Sequence, residues 1–256
     1  TTKLEPEYKN WEEVKKDQAE LNKASQAERI VNYKSSNKTG KSYAIVDKKK
    51  GLVHIYREGD KEPLYSSAID LGKNEGDAQT VTKYKDVDGD GKITDKDKIG
   101  GKHKVDWDAG NMSTGAGKFY ISNVDKSGYG GQPILNMMNE RQYEEYKKTG
   151  KVNNVATSFH KGYIKDDQTR VSNGCIRCNK PTLDKLSSHL QNDSEVYILP
   201  EDEGNEFLLE NGKLNFKTKS TKNYDSYVDS QGRTQKGQGI NRAENTLNYK
   251  PIKLEL

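Results

Sequence analysis

The chain has 256 residues, 30% of them apolar and 32% charged, with a net charge of +4 and a mean hydropathy of −1.09. That length suits one domain of ordinary size with extensions, and the polar balance predicts a modest core with long solvated loops. No apolar run can span a membrane, no segment has the form of a signal peptide, and no Lys/Arg block is dense enough for a nucleic-acid groove.

The chain opens on Thr1 rather than Met, as expected of a processed or trimmed product. Its two cysteines, Cys175 and Cys178, lie three residues apart. A secreted disulfide framework would use more cysteines at wider spacing, so these two do not hold the fold together.

In chain order, Pro6 to Tyr33 is predicted as a helix, with Trp11, Val14, Leu21, Ala24, Ala27 and Ile30 at helical spacing. Ser35 to Gly40 is a polar linker. The period then changes. Tyr43–Asp47, Leu52–Arg57 and Leu64–Leu71 read as three strands of an antiparallel meander, with turns at Lys48–Gly51 and Glu58–Lys61. A Gly/Asp/Lys-rich insertion fills about 72–112. Lys118–Val124 resumes as a strand, and Asn139–Thr149 is a helix closed by Gly150. Val155–Phe159 is a strand leading to His160, Pro181–Leu190 a helix, and Glu195–Leu199 a strand. Asn211-Gly212 between apolar runs marks Phe207–Phe216 as a hairpin. Residues 217–244 read as a long polar loop, and Thr246–Leu256 as a final strand.

The chemistry concentrates in Ser172-Asn173-Gly174-Cys175-Ile176-Arg177. A cysteine nucleophile needs a base and donors for an oxyanion. Gly174 lets the backbone turn tightly beside the sulfur. Arg177 is a fixed cation that can lower the thiol pKa or bind a carboxylate. Of the four histidines, His54 sits in a strand, His189 in a helix and His103 in the insertion. His160 ends a strand fifteen residues before Cys175, where catalytic side chains are commonly displayed. The bland reading of a lone cysteine is a small buried hydrophobe, and Cys178 is read that way.

These segments resemble a known family. His160-Lys-Gly followed by Arg170-Val-Ser-Asn-Gly-Cys-Ile-Arg177 is similar to the signature of the L,D-transpeptidases with a YkuD-type catalytic domain, a His-Gly pair and Ser-His-Gly-Cys-(Ile/Val)-Arg. Thr114-Gly-Ala-Gly-Lys-Phe-Tyr-Ile121 resembles that family's Thr-Pro-x-Gly-x-Phe-x-Ile stretch, and Glu195–Leu199 its closing strand. The likeness covers about 42–200. It departs in two places: Asn173 stands where the family has a helper histidine, and Lys161 separates His160 from Gly162.

The resemblance implies a mainly β fold, a two-sheet β-sandwich with an N-terminal helix and short peripheral helices. The catalytic domain would span 41–200, after a helix and linker over 1–40 and before an extension over 201–256. It implies attack of the Cys175 thiolate on a peptidoglycan stem peptide, a thioester, and cross-linking to a second stem. His160 would be the base, oriented by the Lys161 carbonyl. Gly174 and Cys175 N–H groups would form the oxyanion hole, and Arg177, Asn173 and Ser172 would meet substrate. The expected partners are stem peptides, with no nucleic acid and no organic cofactor, in the cell envelope, periplasmic or extracellular. The alternatives at the same site are an L,D-carboxypeptidase and a catalytically impaired wall-binding module.

One further motif stands outside the family pattern. Asp86-Val-Asp88-Gly-Asp90-Gly91-Lys92-Ile93-Thr94-Asp95-Lys-Asp97 matches the calcium-loop template. Asp86, Asp88, Asp90, the Lys92 carbonyl and Asp97 are the expected ligands of a structural Ca2+. The bland alternative is a solvated acidic turn. Trp107, nearby, is expected to pack rather than stack on substrate.

Overall fold

The computed structural model describes residues 22–78, 84–104, 112–150, 157–164 and 170–218, with 16, 19–20 and the backbones of 226–228 and 234–236. Of the expectations above, Trp11, Trp107, Val155 and the strand over 246–256 lie outside the described residues.

Strand β1 (Ser42–Asp47) is central. Its four middle residues, Tyr43 to Val46, are all buried, as a strand covered on both faces requires. It pairs antiparallel with β2 (Leu52–Arg57), which pairs with β3 (Tyr65–Ala68). On its other side it runs parallel to β12 (Glu195–Ile198). Then follow β7 (Gly117–Asp125), β8 (Ile134–Asn139), β9 (Thr157–Lys161) and β11 (Ile176–Cys178), completing one eight-stranded mixed sheet. The fold is mainly β, as expected.

One face of the sheet buries Val46, Ile55, Phe119, Ile121, Phe159 and Ile176 against Leu183 and Leu186 of a helix, Lys180–His189. The other buries Tyr43, Ile45 and Tyr197 against Ile30 of helix α1 (Gln26–Ser35) and Phe207 and Phe216 of the β13–β14 hairpin (Glu206–Glu210, Lys213–Lys217). The sheet also curls. Just past β3, Asp70 exchanges backbone hydrogen bonds with Arg177 of β11, at 3.0 and 2.8 Å, so the two edge strands are laced together. The two layers expected from sequence are largely halves of one closing sheet.

Several elements differ from the reading above. Helix α1 starts at Gln26, because Ser25 and Glu28 form a reciprocal capping box there and residues 22–24 turn. The third strand of the meander breaks after Ala68. Leu71–Gly72 (β4) leaves the main sheet and pairs in parallel with Arg170–Ser172 (β10). Strand β8 was not foreseen; its Asn136 is a poor strand former but hydrogen-bonds Ser158 of β9 at 2.7 Å. The polar stretch after Lys217 contains a small antiparallel pair, β15 (Ser226–Val228) and β16 (Thr234–Lys236). Helix α2 (Glu140–Thr149) ends at Gly150 with φ 69°, and Asn211 and Gly212 turn the hairpin with φ 50° and 71°, as the sequence predicts.

The Lys48–Gly51 turn hides one unexpected residue. Lys48 is 2% exposed. Its ammonium donates to Gly76 O, Asp77 Oδ1 and Thr114 O, each at 2.8 Å. Asp77 is fully buried and also accepts from Glu201 N, Asp202 N and Asn205 Nδ2. Removing one partner from such a buried pair typically costs about 3–5 kcal/mol, because the other charge is stranded.

Candidate active site

Strands β9 and β11 run parallel, with Phe159 beside Ile176, His160 beside Arg177 and Lys161 beside Cys178. Phe159, Ile176 and Cys178 are all in the core. Side chains alternate along a strand, so His160 and Arg177 both project from the opposite face. Cys175 immediately precedes β11, beside Thr157 and Ser158 of β9, which oppose the rise of its pKa. The nucleophile and base candidates therefore come from neighbouring segments of β9 and β11.

His160 Nδ1 lies 2.8 Å from the Lys161 carbonyl. A carbonyl only accepts, so Nδ1 carries the ring proton and Nε2 is left as the acceptor. Burial lowers the His160 pKa, the Lys161 hydrogen bond opposes that, and the Arg177 charge adds to the lowering. Burial raises the Cys175 pKa, against the Ser158 and Thr157 hydrogen bonds and the Arg177 charge. The sequence reading had Arg177 lowering the thiol; its pull is present, but desolvation outweighs it. Desolvation thus disfavours the charged form of both groups.

The turn carrying Cys175 is tightly held. Gly174 has φ 121°, a region open to glycine. Its carbonyl accepts from Thr114 Oγ1 at 3.0 Å and Thr157 Oγ1 at 3.1 Å. Two expected roles change here. The Gly174 N–H donates to Ser172 Oγ at 3.1 Å, so it is engaged within the turn rather than open to an oxyanion. Ser172 is 2% exposed, and its hydroxyl donates to the Cys175 carbonyl, so it braces the turn instead of meeting substrate. Asn173 and Arg177 are half-buried on the same turn and strand.

Gly162 has its own reason. A Cβ there would sit 2.5 Å from Arg177 Cδ and 2.6 Å from Arg177 Cβ. The glycine is required where the arginine stem crosses it, whatever its spacing from His160. The other histidines are elsewhere: His54 Nδ1 meets Ser66 Oγ at 2.6 Å, His103 pairs with Lys98 in the insertion beside Tyr84, and His189 ends its helix.

In the insertion, ligand atoms of Asp86, Asp88 and Asp97 lie within 4.8 Å of one another. Asp86 accepts from Gly89 N and Gly91 N, each at 2.7 Å, and Asp97 from Val87 N and Thr94 N, each at 2.7 Å. Gly91 has φ 79°, the sharp turn the template needs. Asp90 is not brought into the cluster; its Oδ1 accepts from Lys92 N at 2.8 Å.

Sequence reasoning passed over Thr114, Thr157, Lys48 and Asp77. Thr114 opens the Thr114–Ile121 stretch, so its position was legible but its task was not.

The L,D-transpeptidase catalytic domain (YkuD) family matches residues 41–198, well over half the chain. No curated protein matches in sequence. Among solved structures, Bd1075 of Bdellovibrio bacteriovorus is 13% identical (TM-score 0.36), covering 69% of this chain and 50% of that one. An L,D-transpeptidase of Enterococcus faecium is also 13% identical (TM-score 0.36), covering 62% and 50%. Pgp2, a helical cell-shape-determining protein of Campylobacter jejuni, is 16% identical (TM-score 0.37), covering 63% and 48%. The chain spans about half the length of each of these three.

The lowered pKa of His160 makes a pH prediction. His160 must be neutral to take the thiol proton, and its folded pKa lies below the ordinary value of 6.5. Acylation of Cys175 is therefore expected to hold at neutral pH and to fall at more acid pH than an ordinary histidine base would give. His160→Ala is expected to slow acylation about a hundredfold at pH 7 and to make its rate climb with thiol ionisation. Stopped-flow acylation across pH checks this; a His160→Ala rate equal to wild type would place the base elsewhere.

Proposed function

This chain belongs to the L,D-transpeptidase catalytic domain (YkuD) family, and on that premise we propose that it is a peptidoglycan L,D-transpeptidase working through Cys175. The observation that carries the reading is the fixed tautomer of His160, whose Nδ1 is held by the Lys161 carbonyl on the strand beside the one that Cys175 leads into. His160 Nε2 takes the Cys175 proton as sulfur attacks the carbonyl before the terminal D-alanine of a stem tetrapeptide. The tetrahedral intermediate collapses, His160 returns the proton to the departing amine, and a thioester remains. The side-chain amine of a second stem, deprotonated by His160, then attacks the thioester, forms the cross-link and frees Cys175. Arg177, half-buried beside His160, supplies positive charge on the substrate side. From such a substrate we infer a location in the cell envelope, periplasmic or extracellular. No helix among the described residues is long and apolar enough to cross a membrane.

Incubation with a disaccharide tetrapeptide, read by mass spectrometry, is expected to give free D-alanine and a cross-linked dimer, both lost in Cys175→Ala. Release of D-alanine with only a hydrolysed tripeptide would assign a carboxypeptidase instead. An unchanged tetrapeptide with wild-type protein would overturn the reading.

We also propose that the Asp86–Asp97 loop binds a structural calcium ion. Its support is the convergence of Asp86, Asp88 and Asp97 with the Gly91 turn and the oxygen-only donor set. Backbone N–H groups already fix Asp86 and Asp97, so their remaining lone pairs can be presented to a cation. The Asp90 backbone hydrogen bond pulls the Asp88 carboxyl down, but desolvation and the Asp90, Asp97 and Asp86 charges together leave it raised, and a divalent ion relieves that charge repulsion. Calcium at a hundredfold excess over its dissociation constant is expected to stabilise the fold by about 2.7 kcal/mol. Equal melting temperatures in calcium and in chelator, or a calcium-dependent shift that survives Asp86→Asn with Asp97→Asn, would rule this site out.

A further inference from the structure

Nothing in the reaction above says how the oxyanion donor is aimed. With the Gly174 N–H given to Ser172, the donor beside the sulfur is the N–H of Cys175 itself. Its direction is set by one peptide plane. In a trans peptide the carbonyl of Gly174 and the N–H of Cys175 point opposite ways. Whatever holds that carbonyl therefore aims that N–H.

The carbonyl is held by two hydroxyls. Thr114 Oγ1 and Thr157 Oγ1 donate to it at 3.0 and 3.1 Å, filling both acceptor sites of the oxygen. The two threonines come from far apart in the chain, one at the entry to β7 and one on β9. Thr114 is fully buried and fixed at both ends. Its hydroxyl accepts from Gly72 N at 2.9 Å, and its own carbonyl accepts from the buried Lys48 ammonium at 2.8 Å. Gly174, at φ 121°, lacks the Cβ that restricts backbone rotation in other residues, so the turn alone does not fix the plane. A flip of this peptide would present an oxygen to the developing oxyanion and strand two buried hydroxyls.

We propose that Thr114 and Thr157 are positioning residues of the oxyanion site, clamping the Gly174 carbonyl so that the Cys175 N–H faces the substrate oxygen. The proposal rests on Cys175 being the nucleophile. When sulfur adds to the substrate carbonyl, the C=O π pair moves onto oxygen, and the aimed N–H hydrogen-bonds that charge. Collapse restores the carbonyl and expels the leaving nitrogen, protonated by His160.

The test compares two reactions of one thiol. Imipenem acylates through a tetrahedral oxyanion; iodoacetamide alkylates by displacing iodide and forms none. Thr114→Val keeps the shape and removes the hydroxyl. Acylation is expected to slow about ten- to a hundredfold, less than the loss of an oxyanion donor outright, while alkylation of Cys175 stays within about twofold. Thr114→Ser is expected to restore acylation to within about threefold of wild type. Acylation unchanged in Thr114→Val, acylation and alkylation slowing together, or no recovery with serine would each overturn the proposal. Alkylation of the buried Cys178 reports a collapsed site. If it appears, Thr157→Val, which leaves the Gly72 bond intact, decides: the ratio of acylation to alkylation must fall at least about fivefold, and an unchanged ratio overturns the proposal. Failure of the underlying reading looks different, since an imipenem adduct would then persist in Cys175→Ala.

Discussion

The buried Lys48–Asp77 pair is the constraint on which the catalytic end of the molecule depends. An ammonium with no access to water needs every proton matched, and Lys48 matches its three with Gly76 O, Asp77 Oδ1 and Thr114 O. Asp77 in turn collects the backbone at 201–202 and the Asn205 amide, while Glu201 takes Gly76 N and pairs with Arg170 at the start of the cysteine loop. Three remote stretches, the β1–β2 turn, the entry to the insertion and the residues after β12, are thus tied to one ion pair. A hydrophobic replacement of similar volume could match its stability. It could not hold the Thr114 carbonyl, which is where this network touches the chemistry.

A second tension runs through the site itself. Burial pushes the Cys175 thiol up and the His160 imidazole down, disfavouring the charged form of each. That lowers the standing reactivity of the thiol. The closing of the sheet at Asp70 and Arg177 supplies the enclosure, since the strand that carries Arg177 would otherwise be an open edge.

Much of this was legible in the sequence, for identifiable reasons. Local signals held where one residue type has one physical task. Gly150 stops a helix in the left-handed conformation, and Asn211-Gly212 turns a hairpin. Cys175 and His160 stood out because their neighbours are glycines and a cation. Long-range effects were not legible. Lys48 is written into a run of three lysines, and nothing local says that the first is buried while the others are exposed. Ser172 looked like a substrate contact because its hydroxyl's partners, Gly174 N and Cys175 O, appear only once the turn is folded. Asp70 reads as an ordinary strand-end residue until the sheet closes on it. The Pro6–Tyr33 stretch reads as one helix because apolar spacing runs on through it; residues 16, 19 and 20 are helical, but 22–24 turn and the Ser25–Glu28 capping box starts a new helix.

Which sulfur reacts is the central question, because Cys178 lies in the core three residues from Cys175. The most direct measurement is peptide mapping of the protein after incubation with imipenem at neutral pH. The account predicts a single adduct on Cys175 and none on any peptide of Cys175→Ala; an adduct on Cys178, or one retained by Cys175→Ala, would contradict it.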